Sequence, residues 1–234
     1  MPRGIPYIIG NEVAERFSYY GMKGILTIFM TKYLLDSSGN AAPMSETDAS
    51  LWVYLFGAAN YILPLLGSIL SDIWWGKYRT IIVLSIVYCL GHLALAINET
   101  QTGLAIGLAL IAMGSGGIKP CVSAHVGDQF NESNKSLLDK IYFYFYFAIN
   151  FGSFISGLLI PVLLDRFGPH VAFGLPGIFM FLATVVFWMG RKKFISIKPA
   201  GVKAYFEEVF SKDGTRAILY LIPIFLCTSV YWSL

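Results

Sequence analysis

Charge is what this sequence has least of. Asp, Glu, Lys and Arg make up only 13% of its 234 residues, against about 25% in an ordinary soluble domain. The two signs nearly balance, 17 basic residues against 14 acidic. That surplus is too small to hold a nucleic-acid backbone, and no nucleic-acid partner is expected. Cysteine is also rare. Cys89, Cys121 and Cys227 lie far apart in apolar runs, which leaves no disulfide framework or thiolate metal site and reads as buried thiols. The three histidines, His92, His125 and His170, are scattered along the chain. They form neither a metal cluster with acidic residues nor a Ser–His pair, so an enzyme is not expected, and neither is a metal or organic cofactor. The start, MPRGIPYIIGNEVAERF, has acidic residues where the apolar core of a signal peptide belongs, so no cleavable leader is expected.

What fills the chain instead is apolar. It is 56% hydrophobic with a mean hydropathy of +0.63, the composition of an all-α polytopic membrane protein. A spanning helix needs about 20 mostly apolar residues. Seven such segments are predicted, at about 6–35, 49–71, 80–98, 103–125, 141–164, 171–190 and 217 onward. Basic residues fall almost wholly on one side of them. Arg3, Lys77, Arg79, Lys135, Lys140 and seven more between 191 and 216 share that side, while the loops opposite hold only Arg166. By the positive-inside rule, the N-terminus and the 191–216 stretch are cytoplasmic. Asn98-Glu99-Thr100 fits a glycosylation sequon, with an unmodified short loop as the default reading. Within 198–210, apolar and aromatic residues recur at 202, 205, 206, 209 and 210. That pattern predicts a helix lying on the membrane surface, with a plain flexible linker as the alternative. The final run, LYLIPIFLCTSVYWSL, stops while still apolar. It is either a short last helix or part of a longer one, and the expectation is a fragment.

Three stretches follow from these segments: a six-helix bundle over 1–190, a cytoplasmic linker over 191–216, and the start of a seventh membrane helix over 217–234. Six helices followed by a long basic linker is the half-unit of the major facilitator architecture.

Some charges lie where lipid should be. A charged side chain at mid-membrane costs about 2.5–3.5 kcal/mol on insertion scales, so such residues face the protein interior and usually have a function. The first segment contains Glu12, Glu15, Arg16, Tyr19, Tyr20 and Lys23. Positions 12, 15 and 16 share one helical face, with Tyr19 and Tyr20 one turn on. A single Glu–Arg pair can be a static staple. Two carboxylates beside one guanidinium leave one acid without a local partner, which makes it a natural proton carrier. Lys119 lies about 16 residues into the fourth segment, beside Pro120 and after Gly114, Ser115, Gly116 and Gly117. It either snorkels to the surface or faces a polar interior and pairs with Glu12 or Glu15. Asn60 and Tyr61 in the second segment, and Tyr146 and Asn150 in the fifth, are further polar groups near mid-depth. Each alone reads as an interhelix hydrogen bond; together they suit a polar cavity.

These segments resemble one family. NEVAERFSYYG (11–21) is similar to the E-x-x-E-R-F-x-Y-Y-G signature of proton-dependent oligopeptide transporters. GSGGIKPCVSAHVGDQF (114–130) resembles that family's Gly-rich fourth-helix segment, and FYFAINFGS (145–153) its F-Y-x-x-I-N-x-G-S segment. Between them, GSILSDIWWGKYRT (67–80) looks like the gating loop of major facilitators, carried here by Gly67, Asp72, Gly76, Lys77 and Arg79. The resemblance implies a major facilitator fold and a proton-coupled symporter importing di- and tripeptides in a bacterial inner membrane. The proton would be the coupling ion, and the C-terminal bundle of the same protein the missing partner. It implies that Glu12, Glu15, Arg16 and Lys119 handle the proton. Arg16, Tyr20, Lys23, Tyr61, Lys119, Tyr146 and Asn150 would bind peptide. Lys23 stands where many members have arginine, and a point charge is a poorer grip on a carboxylate than a planar fork. Tyr54 stands where animal members have a histidine. The acidic residue expected in the seventh helix is not in this sequence.

Three rivals remain. A symporter of the same architecture carrying nitrate or another small anion would use the same buried cations. A seven-helix receptor needs an extracellular N-terminus, against the basic-residue count. A membrane enzyme lacks a catalytic constellation.

Overall fold

The computed structural model describes residues 1–233. The long elements among them are all helices: α1 Ile5–Lys32, α2 Glu46–Leu70, α3 Gly76–Ile97, α4 Gln101–Asp128, α5 Leu138–Met189, α6 Val202–Val209 and α7 Lys212–Ser233. Their starts follow local chemistry. Pro6 sits in the first turn of α1, where a missing N–H is harmless. Ser45 caps α2 by accepting from the Asp48 N–H at 3.1 Å, and Thr100 caps α4 by accepting from Gly103 N–H at 3.3 Å. Asn98 is spent in that second cap, its side-chain oxygen accepting from both the backbone N–H and the hydroxyl of Thr100.

Two expected loops are tighter than a loop. Residues 72–79 were predicted to link separate spans, yet Ser71–Trp75 form a π-helical turn running straight into α3. Only Gly76, with φ 74°, leaves the helical region. Likewise the predicted spans 141–164 and 171–190 are the two limbs of the 52-residue α5, which part within the expected break, at Gly168 (φ 79°) just before Pro169. At about 1.5 Å per residue that length far exceeds the roughly 30 Å of a bilayer core, so α5 is two membrane-crossing limbs. In both cases a single left-handed glycine does the work of a loop. The remaining backbone stays helical because a helix satisfies its own hydrogen bonds at a lipid boundary. The last predicted segment also begins earlier, at Lys212, and its final residue, Leu234, lies outside the described residues.

The stretches 46–97, 101–128 and 135–192 are apolar and long enough to cross a membrane. Length and composition alone do not qualify α1, which holds five charged residues. It is instead enclosed by protein. Its packing runs mainly along α5, while α4 packs on α3 and α2. Phe17 stacks on Phe179 with ring centroids 4.3 Å apart, and Phe29 meets Phe173 edge-on at 5.0 Å. Those contacts join α1 to the second limb of α5. The first limb presses in at Gly152, where a Cβ would lie 3.0 Å from Phe17 N and 3.2 Å from Arg16 Cβ. Large apolar side chains such as Leu65, Leu66, Ile86, Leu93, Ile106, Phe154 and Phe181 stay exposed around the bundle, as lipid-facing residues do.

At the end of the bundle where the basic loops gather, the segment after α5 is strapped down. Gln129 Nε2 donates to the Ile195 carbonyl at 3.1 Å, and the Ile195 N–H returns a bond to Gln129 Oε1 at 2.9 Å. Phe194 packs on Tyr78, His125 and Phe187. The Ala200 N–H donates to the Asp72 carbonyl at 2.8 Å. Gly201 follows with φ 80° and no side chain or backbone near its Cβ position. Beyond it, α7 packs chiefly on α6, and its side chains from 215 to 228 are exposed.

Candidate functional site

The middle of α1 carries the buried charge. Glu12, Glu15 and Arg16 are 4%, 1% and 6% exposed. The i, i+3, i+4 spacing turns all three to one side of the helix. Arg16 Nε lies 2.8 Å from Glu12 Oε1 and 2.6 Å from Glu15 Oε2. Neither approach has the alignment of a directed hydrogen bond, and both Glu15 oxygens lack a hydrogen-bond partner. One guanidinium therefore holds two carboxylates by charge, and Glu15 has hydrogen-bonding capacity to spare.

Lys119 projects from α4 toward this cluster. The expected ion pair between Lys119 and Glu12 or Glu15 is not formed. Arg16, on the same helix as both acids, already occupies them, and the Lys119 ammonium instead sits 4.7 Å from the centre of the Tyr19 ring. The Arg16 guanidinium lies 6.0 Å from the same ring. Tyr19 thus bears on both cations, a favourable arrangement for an electron-rich face out of water. Its own position is fixed by Phe56 and Tyr20. Sequence reasoning noted Tyr19 in the stripe without giving it a role; the signal was a tyrosine one turn beyond Arg16.

A cavity of about 240 Å³ opens beside the cluster, lined by Glu12, Arg16, Lys119, Ser123, Tyr142, Phe145, Tyr146 and Ile149. The Tyr142 hydroxyl closes one wall by donating to the Ser123 carbonyl at 3.3 Å. The structure brings Tyr146 to this cavity. It does not bring in Tyr20, Lys23, Tyr61 or Asn150, which are exposed. Tyr61 and Tyr146 are 84% and 65% exposed, and the Asn150 side-chain amide donates to the Tyr146 carbonyl at 2.8 Å. Asn60 is used structurally, its side chain joining Phe56 and Ser115.

The gating-loop residues assemble at the basic end. Gly67 lies against the Gly117 backbone, where any side chain would collide. Lys77 Nζ meets Asp128 Oδ2 at 2.8 Å and Oδ1 at 3.1 Å, and His125 Nδ1 lies 3.9 Å from the same carboxylate. Asp128, His125 and Gln129 were missed at the sequence level although they sit in the quoted 114–130 segment. An Asp closing a helix one turn after a His was the available signal. A larger cavity, about 540 Å³, lies here too, bounded by Asp72, Gly76, Lys77, Pro199, Tyr205 and Ile218. It too is lined by charge, Asp72, Lys77, Lys198 and Glu208, but by neither buried acid of α1; the smaller cavity is the one that reaches Glu12 and Arg16. Arg79 lines a third hollow with Trp75, Tyr78 and Lys198.

Residues 78–212 match a sequence model of the POT family. Solute carrier family 15 member 2 of Rattus norvegicus is 41% identical over 215 residues, covering 86% of this chain and 28% of its own. The crystal structure of the POT family transporter PepTSo superimposes with a TM-score of 0.80 at 47% identity, covering 91% of this chain and 43% of that one. That of a peptide transporter POT, an E310Q mutant in complex with alafosfalin, does so with a TM-score of 0.77 at 28% identity, covering all of this chain and 47% of that one. The chain thus spans under a third of the curated relative's length and under half of the solved chains.

Proposed function

Since the chain belongs to the POT family, whose members are integral membrane transporters, we propose that it is the N-terminal half of a proton-coupled symporter importing di- and tripeptides by alternating access. Residues 1–190 form the first bundle, 191–216 the linker and 217–234 the start of the seventh membrane helix. The C-terminal bundle of the same protein completes the peptide site. The N-terminus lies on the cytoplasmic face of a bacterial inner membrane, whose gradient supplies the coupling proton; the one-sided distribution of basic residues supports this orientation.

The observation that carries the proposal is Arg16 shared between two buried carboxylates, with Lys119 at the same cavity. With both acids ionised, Glu12, Glu15, Arg16 and Lys119 sum to zero charge. A peptide brings its C-terminal carboxylate to the two cations and leaves one uncompensated negative charge in a dry site, an expensive state. A proton on Glu12 or Glu15 restores neutrality and frees Arg16 to meet the peptide. Substrate and proton therefore bind together. Tyr146 lines the cavity from α5, while Tyr20, Lys23, Tyr61 and Asn150 offer polar surface to the second half. The solved relative described as a peptide transporter POT in complex with alafosfalin supports a peptide-like substrate.

The test uses the full-length protein in proteoliposomes. Glu15→Gln should abolish uptake of labelled dialanine driven by an inward proton gradient while sparing dialanine counterflow. Gradient-driven uptake at the unsubstituted rate would sink the proposal. Competition of that uptake by nitrate, rather than by unlabelled dipeptide, would instead identify an anion carrier.

A further inference from the structure

The lipid-facing side of α3 ends in a cation that the transport reading leaves unused. The exposed residues of α3 are Arg79, Val83, Ile86, Leu90, Leu93 and Ile97. Their spacing alternates between four and three, so they form one stripe along the helix. At 1.5 Å per residue that stripe runs about 27 Å, close to the thickness of a bilayer core. Arg79 therefore stands where the stripe reaches the headgroup level on the basic side. Trp74 and Trp75, both exposed, lie just before it in the π-helical turn, as tryptophans do at a membrane interface.

Beside Arg79 the surface is hollowed rather than flat. A pocket of about 300 Å³ is lined by Trp74, Trp75, Tyr78, Arg79, Lys198 and Pro199, and no acidic residue lines it among those described. Its walls are held in place. Tyr78 stacks on Phe187 with ring centroids 5.7 Å apart and touches Phe194 at 6.1 Å. The strap supplies the other wall: a Cβ on Gly76 would lie 3.5 Å from the Ile197 carbonyl oxygen and 3.6 Å from Pro199 Cδ. The 2.8 Å bond from Ala200 N–H to the Asp72 carbonyl fixes the strap one step further on. Lys198 is thereby carried to the start of α3. It also borders the larger cavity that holds Asp72 and Glu208, yet among the described residues neither Arg79 nor Lys198 forms an ion pair.

We propose that this hollow binds the headgroup of an anionic phospholipid from the leaflet at the basic end, its phosphate between Arg79 and Lys198 and an acyl chain along Val83, Ile86 and Leu90. A guanidinium fork suits phosphate oxygens, and the ammonium adds a second charge from the strap. Two fixed cations with no acid among the lining residues favour a lipid of net negative charge. A zwitterionic lipid brings its own cation into the same space and gains less. The tryptophan rings lie where the glycerol backbone belongs. Such a lipid would bridge α3 and the strap, and the site is independent of what the full-length protein carries.

The test titrates the full-length protein in detergent micelles with dioleoylphosphatidylglycerol or dioleoylphosphatidylcholine and counts bound lipid by native mass spectrometry. Phosphatidylglycerol should be retained the more tightly. Arg79→Gln/Lys198→Gln should weaken its binding by about 25-fold, about fivefold for each cation. Lys140→Gln/Lys192→Gln removes the same charge from other exposed positions of the basic end and should change binding little. Equal losses in the two double variants would reduce the site to a diffuse positive field and overturn the proposal, as would equal retention of the two lipids. Excess sn-glycerol 3-phosphate should not displace the lipid; if it does, the hollow takes a soluble phosphate instead. Should Arg79→Gln/Lys198→Gln not fold, the unsubstituted protein decides. A phosphatidylglycerol with a photoactivatable headgroup should label peptides containing 74–79 or 196–199, and labelling confined to other segments refutes the assignment.

Discussion

Removing Arg16 should destabilise the protein severely, and removing the two acids with it should largely undo the damage. At separations of 2.8 and 2.6 Å, each contact is worth about 6 kcal/mol in gross attraction at an effective dielectric of about 20. Repulsion between the carboxylates and the desolvation of all three groups offset much of that. What survives as a net effect when one partner of such a buried cluster is deleted is about 3–5 kcal/mol. Arg16→Met leaves two acids facing each other with at most 4% exposure. In the full-length protein in lipid nanodiscs, the unfolding midpoint near pH 7 should fall by roughly 10 °C. The loss should shrink as the pH is lowered, because protonating the acids removes the uncompensated charge. Glu12→Gln/Glu15→Gln/Arg16→Met should return to within a few degrees of the unsubstituted protein, since replacing a whole buried ion cluster by neutral groups is close to energetically neutral. A triple variant as unstable as Arg16→Met would refute the charge argument and reduce Arg16 to a packing residue. An Arg16→Met protein as stable as the unsubstituted one would do the same.

Two further outcomes test the framework around the site. Gly152→Leu should lower the unfolding midpoint and slow dialanine uptake, because its side chain must enter space held by Phe17 N and Arg16 Cβ; Gly157→Leu, which meets nothing within 4 Å, should leave both near the unsubstituted values. Gln129→Ala deletes the reciprocal pair with Ile195, so limited trypsin treatment should cleave after Lys193 several-fold faster, and an unchanged cleavage rate would mean the strap is held by Phe194 and the Ala200–Asp72 bond without it.

The parts that could be read in the sequence are those set by helical periodicity and residue chemistry. Glu12, Glu15 and Arg16 must share a face of any helix through 11–21, and the long apolar runs have nowhere dry to go but lipid or the bundle interior. Other features depend on what packs from far along the chain. The Lys119 ammonium meets the Tyr19 ring rather than a carboxylate because Arg16 reaches the acids first, a competition that no spacing rule expresses. Gln129 and Ile195 are 66 positions apart, and nothing local marks either as a strap. Breaks between the spans were legible at 72–79 and 165–170, but no spacing rule says that one glycine, Gly76 or Gly168, suffices to make each. Nor does an aromatic run reveal which tyrosine lines a cavity: Tyr142 and Tyr146 do, whereas Tyr61, in an equally apolar stretch, stands on the open surface.

The strap also relocates the joint of the molecule. Residues 194–200 are bonded to α4 and to the turn before α3, so they ride with the first bundle as part of its underside. The first position with open surroundings is Gly201, with its left-handed backbone, although α6 beyond it still touches the π-helical turn. That opening comes about ten residues later than the basic run that marks the linker in the sequence. The stretch between that opening and α7 is short, and much of it is taken up by the small rigid rod of α6. A tether of that kind behaves less like a slack rope than like a jointed link: it permits tilting while limiting how far the halves can slide apart.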